Sequence, residues 1–116
     1  MSPEEFNQAV QMLRSDDSLT YEEGYHWLKG DNLYQYLPQV VSLLHAEIDP
    51  RMRGKFVDLV GDADMYEYIS VLVGESMHPS AHVRQWAYNG LSCSDHAAGR
   101  DHAERFRVSH PDEDFL

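Results

Sequence analysis

The sequence predicts an all-α protein of stacked helical hairpins, and three observations carry that prediction. The chain repeats itself with a period of about 31 residues, within the range of helical repeat architectures. Helix start and stop signals recur around apolar stretches of helical spacing. No stretch alternates polar and apolar residues for long enough to make a strand.

The repeat shows first in two matched stretches. Leu28-Lys29-Gly30-Asp31 is followed by Tyr34-Gln35-Tyr36-Leu37, and Leu59-Val60-Gly61-Asp62 by Tyr66-Glu67-Tyr68-Ile69. The Tyr-x-Tyr groups are spaced one position wider than the Gly-Asp pairs, so the second copy holds one more loop residue. Met52-Arg53 and Val83-Arg84 keep the spacing of the Gly-Asp pairs, in segments that carry Pro50 and Pro79. The same offset taken backwards matches Met52 with Tyr21, Phe56 with Tyr25 and Leu59 with Leu28. Periods of this length mark solenoids, in which no hairpin can bury its apolar side alone and stacking makes the core.

The elements follow in order. Ser2-Pro3-Glu4-Glu5 reads as an N-cap, a proline at the first helical position and a capping-box glutamate, with Phe6, Val10 and Leu13 on one face behind it. Thr20-Tyr21-Glu22-Glu23 reads as a second capping box, followed by Tyr25 and Leu28 and stopped by Gly30. Leu33 to Ala46 carries Tyr36, Leu37, Val40, Val41 and Leu44 at helical spacing. Asp49-Pro50 opens a helix with Met52, Phe56 and Leu59 inward and Gly61 as its end. Asp64 is read as capping a helix through Ile69, Leu72 and Val73. His78-Pro79 opens another, with Val83, Ala87 and Leu91. Ser94 caps a last helix to about Arg107. The expectation is one leading helix and three hairpin pairs in a single domain over residues 1–108, then an acidic C-terminal tail, 109–116. That tail is read as loose, although Phe115 and Leu116 are apolar enough to dock back.

Composition narrows the function. Twenty acidic residues against nine basic ones leave a net charge of −11. Such a charge disfavours nucleic acid and anionic membrane and favours a partner with a basic surface. The single cysteine, Cys93, excludes an intrachain disulfide. The N-terminal residues lack the pattern of a signal peptide, so the expected location is the cytoplasm.

Asp49-Pro50-Arg51-Met52-Arg53 and His78-Pro79-Ser80-Ala81-His82-Val83-Arg84 resemble the start of the second helix in HEAT repeats, where an Asp and a proline turn precede Val-Arg. Ala87 and Leu91 match further down that helix, as does Leu59, with Phe56 at the alanine position. The Leu-x-Gly-Asp ends resemble the short, phycobilisome-lyase-like variety of the family. The first copy departs from the pattern, with Tyr21-Glu22 where Val-Arg is expected. The resemblance covers about Thr20 to Leu91. It implies a right-handed α-solenoid of about three hairpins plus the N-terminal helix, with the second helices lining a concave binding face. It also implies that Arg53 and Arg84 bridge structurally to loop carboxylates of neighbouring repeats, with Asp31 and Asp62 as the natural partners.

On that scaffold the exposed positions of the second helices are the candidate partner-binding residues: Glu23 and Trp27, then Asp58, then Gln85, Trp86 and Asn89. An outward tryptophan beside carboxylates is the type of anchor that carries interface energy. The same tryptophans can instead pack under neighbouring loops. Among the histidines, His78 and His82 are four apart, and Cys93, His96 and His102 follow with Asp95 and Asp101. Pro79 spoils the first pair, no Cys-x-x-Cys exists, and no metal or other cofactor is expected. Cys93 reads as a small, partly buried side chain, and no catalytic triad is arguable. The sequence thus predicts a non-catalytic protein-binding module, a monomer or homodimer. Its most concrete form is an immunity or antitoxin-like inhibitor that captures a basic toxin or effector. The alternatives are an accessory factor or metal-dependent enzyme on a HEAT-like scaffold, and a structural subunit of a larger assembly.

Overall fold

Residues 1–116 are all described by the computed structural model, and they form seven α-helices and no β-strand. These are α1 (Pro3–Leu13), α2 (Ser18–Leu28), α3 (Asp31–Ala46), α4 (Pro50–Ala63), α5 (Ile69–Glu75), α6 (Ala81–Ser92) and α7 (Ala97–Ser109). A short 3₁₀ turn, Tyr66–Tyr68, leads into α5. No helix is long and apolar enough to cross a membrane.

The start of α1 follows its sequence signal. The Glu5 amide donates to Ser2 Oγ at 3.1 Å and the Ser2 amide to Glu5 Oε1 at 2.9 Å, which closes the capping box. The other starts shift. α2 begins before the Thr20 box because Asp17 caps it, accepting from the Thr20 amide at 3.1 Å and the Thr20 hydroxyl at 2.7 Å. Asp49 caps α4, and Ser80 holds the same place before α6. Asp17, Asp49 and Ser80 keep the repeat spacing to within one position, so the period lives in the helix starts.

The Gly-Asp match does not have that meaning. Gly30 lies between α2 and α3 at φ 74°, a backbone that favours glycine. Gly61 is inside α4, which runs on to Ala63 and ends at Asp64 in the left-handed region, φ 47°. Asp64 therefore closes α4 rather than opening α5. Ser94 does not cap α7 either: that helix starts at Ala97, and Ser94 is buried in the connection before it.

α1 packs on α2, α3 on α4 and α5 on α6, whereas α2 touches α3 little. The helix left outside a hairpin is thus α7, which packs on α6 and α5, and not the N-terminal one. Helices joined by such short connections run antiparallel. Side-chain contacts give the directions between hairpins. The Phe6 ring stacks on Tyr36, and Arg14 pairs with Glu47, so α1 and α3 run the same way. Lys55 Nζ lies 4.4 Å over the Tyr21 ring, and Tyr25, one turn on, lies beside Asp58, so α2 and α4 do too.

One apolar cluster contains residues of all seven helices, among them Leu13, Leu28, Leu37, Phe56, Ile69, Val83 and Ala103. Most residues predicted to face inward lie in it; Tyr25, Val41 and Val73 are half-buried at its margin. Residues 110–116 are not loose. Glu113 pairs with Arg84, and the Phe115 ring sits 5.9 Å from Tyr88 and 6.0 Å from Phe106. The acidic tail docks because its one aromatic residue finds two others.

Candidate functional site

The site is built where α4 and α6 come closest. A Cβ on Gly61 would stand 3.0 Å from the Gly90 Cα, so the two backbones touch there without side chains between them. One turn from the start of α4, a Cβ on Gly54 would meet Trp86 Cδ1 and His82 Nε2, both at 2.9 Å. Gly54 thus lets Trp86 lie against α4. These contacts pair the start of α4 with the start of α6 and the end with the end, so the two helices run the same way.

With no side chain between Gly61 and Gly90, a groove of about 330 Å³ remains above them. Asp58 and Asp62 line it from α4, one turn apart on the same face. Trp86, Asn89 and Cys93 line it from α6, again at helical spacing. Asp64 and Asp95 close the end. Asp64 is held in place: its carboxylate accepts from the Ser94 hydroxyl at 2.6 Å and from the Asp95 amide at 2.7 Å. Its carbonyl is 2.9 Å from His96 Nε2. The end of α4 is thereby tied to the connection between α6 and α7, and Asp95 is presented at the rim.

Four carboxylates line this groove and no Lys, Arg or His does. Burial pushes the Asp58 carboxyl above its ordinary range; the nearby Lys29 ammonium opposes that shift and Asp62 adds to it. Burial, with Asp58 beside it, also raises the Tyr25 hydroxyl, which stays protonated. Such a surface attracts a cationic group, and the half-buried Trp86 ring offers a face for it.

Of the six predicted partner-binding residues, the groove unites Asp58, Trp86 and Asn89. Glu23 is exposed on α2, outside it, and Trp27 is half-buried against the core with its carbonyl bonded to Asn32. Gln85 lies one turn before Asn89, in a different depression beside Glu113 and Phe115. Asp95, Asp64 and Cys93 were not predicted to belong to the site. Asp64 and Asp95 stand one repeat period apart, so the period itself was a signal for them. Cys93 is exposed, not partly buried, because it caps α6 at the groove.

The arginines have other partners than Asp31 and Asp62. Arg53 grips Glu75 through Nε at 3.0 Å and Nη2 at 2.5 Å, and its Nη1 donates to the Glu47 carbonyl. Arg84 donates from Nε to Glu113 at 2.6 Å and from Nη1 to the His78 carbonyl. Arg100 likewise donates to the Ser94 carbonyl, so three arginines each bind the carbonyl six residues earlier. Direction explains the mismatch. Asp62 is nine residues beyond Arg53 on the same helix, about 13 Å along its axis. Asp31 opens α3, whose opposite end meets the start of α4. Both aspartates are exposed, and Asp62 serves the groove instead.

The histidines are dispersed. His78 Nδ1 accepts from the Ser80 amide, His96 meets the Asp64 carbonyl, and His102 contacts Arg105. No three His, Cys, Asp or Glu side chains stand together as a metal site. No family model matches the chain, and no curated protein or solved structure is significantly similar to it.

Proposed function

We propose that this chain is a non-catalytic, HEAT-like protein-binding module that takes a basic segment of a partner protein into the groove between α4 and α6. The single observation that carries the reading is the groove's lining: Asp58, Asp62, Asp64 and Asp95 around the half-buried Trp86, without a basic residue. A guanidinium laid on the indole would find carboxylates on both sides, and Asn89 adds a polar contact. Cation–π contact contributes about 0.5–2 kcal/mol, and charge-assisted hydrogen bonds add to it.

The scaffold in this reading is a right-handed α-solenoid. Its support is the three successive hairpins, the common direction of α2, α4 and α6, and the repeated arginine-to-carbonyl bonds of Arg53 and Arg84. Small size and a net charge of −11 favour an immunity or antitoxin-like inhibitor acting in the cytoplasm on a basic toxin or effector.

A direct test uses Trp27→Phe, which leaves Trp86 as the lone tryptophan. Titration with a six-arginine peptide at about 0.15 M salt is expected to change the Trp86 fluorescence saturably. Adding Asp58→Asn and Asp95→Asn is expected to weaken binding about tenfold or more, equivalent to about 1.4 kcal/mol. Affinity unchanged by those two substitutions would mean that the peptide binds the general negative charge and not this groove.

A further inference from the structure

A second surface is already occupied by the chain itself. Arg84 and Tyr88 lie one turn apart on α6, and Phe106 of α7 packs beside Tyr88 with ring centroids 5.7 Å apart. Residues 113–115 sit on this face, Glu113 on the Arg84 guanidinium and Phe115 against both rings. Comparison with Arg53 shows what is unusual about the seat. Arg53 holds Glu75, a residue at the end of a helix, through both Nε and Nη2, and the Glu75 side chain is only 5% exposed. Arg84 holds Glu113, a residue of an irregular segment, through Nε alone, and the pair is 22% and 16% exposed. The Nη2 edge of the Arg84 fork makes no hydrogen bond to the segment. Within it the backbone bonds are also long, 3.3 Å from the Glu113 amide to His110 and 3.4 Å from Leu116 to Glu113. One ion pair and one ring hold residues 113–116, and segments with so few buried contacts open at low free energy.

We propose that residues 113–115 are a displaceable internal ligand, and that the face formed by Arg84, Tyr88 and Phe106 is a docking site for a Glu-x-Phe segment of a partner protein. The seated segment defines the occupant. A carboxylate goes to the guanidinium, and a ring two residues later packs against both Tyr88 and Phe106. An incoming glutamate that presents both oxygens to Nε and Nη2 forms the fork that Glu113 leaves half-used. This site is separate from the groove: it selects an acidic, aromatic segment where the groove selects a basic one.

The test keeps the full chain. Glu113→Ala with Phe115→Ala empties the seat, and the acetylated, fluorescently labelled peptide Ser-His-Pro-Asp-Glu-Asp-Phe-Leu is added in trans at about 0.15 M salt. The peptide is expected to bind the emptied chain and to bind the wild type at least about tenfold more weakly, because the wild-type site is open only a fraction of the time. Adding Arg84→Gln to the emptied chain is expected to weaken binding about fivefold. Equal affinity for both chains, no binding to the emptied chain, or affinity unchanged by Arg84→Gln overturns the proposal. Should the emptied chain fail to fold, Glu113→Gln replaces it with the same expected order of affinities. Independently, backbone ¹⁵N relaxation of the wild type must show residues 113–115 ordered like α7; a segment already mobile there also overturns it.

Discussion

Replacing Gly61 by alanine tests the α4–α6 contact on which the groove depends. An alanine in a helix is favoured over glycine by about 1 kcal/mol. At position 61 its Cβ would lie 3.0 Å from the Gly90 Cα, against about 3.5–4.0 Å for an ordinary carbon contact. The helices must then give way by a few tenths of an ångström. Phe56, Val57 and Val60 of α4 and Val83 and Ala87 of α6 have almost no exposure, so a shift of either helix disturbs a closely packed core. Overpacking of this kind costs about 1–3 kcal/mol. Gly74 is the control: it lies in α5 with nothing within 4 Å of its would-be Cβ. Gly74→Ala should therefore gain up to about 1 kcal/mol, and Gly61→Ala should fall below it by about the full overpacking cost. Urea unfolding of both variants measures the difference. Equal stabilisation by the two substitutions would refute the close approach of α4 and α6.

Arg53→Ala strands Glu75 and should cost about 3 kcal/mol, while Arg84→Ala, whose pair is more exposed, should cost about 1 kcal/mol or less; similar losses in urea unfolding would contradict the two environments. Asp58→Asn should stabilise the chain at pH 7 and lose that advantage in acid. The sign follows from the raised carboxyl: above the ordinary aspartate value of about 3.9 the folded state holds a proton that the unfolded state has released, so stability falls as pH rises through that window. Denaturant midpoints of both chains between pH 3 and 7 check it, and a variant less stable at pH 7 would show Asp58 to be held by favourable contacts.

Helix existence was legible because apolar spacing and caps are local properties. Phe6, Val10 and Leu13, or Val83, Ala87 and Leu91, declare their face without knowledge of any neighbour. The ends were less legible. Glycine relieves a left-handed turn at position 30 and a helix crossing at position 61, and the residue type is the same in both. The arginine partners were hidden because they depend on helix direction: Arg53 meets the end of α5 and not the end of its own helix. Three of the seven side chains that line the groove were legible, since Asp58, Trp86 and Asn89 are outward positions of two equivalent helices. Asp64 and Asp95 were marked only by standing one period apart, because what brings them to the groove is a hydrogen bond between two connections, which is not a local property.

A basic segment that docks in the α4–α6 groove must perturb the residues that line it. Backbone ¹⁵N–¹H spectra of the wild-type chain, recorded while an arginine-rich peptide is added, test it residue by residue. Shifts are expected to concentrate at Asp58, Asn89 and Asp95 and at the Trp86 indole. Shifts spread over acidic residues remote from the groove, such as Glu4, Glu23 and Glu104, would contradict it.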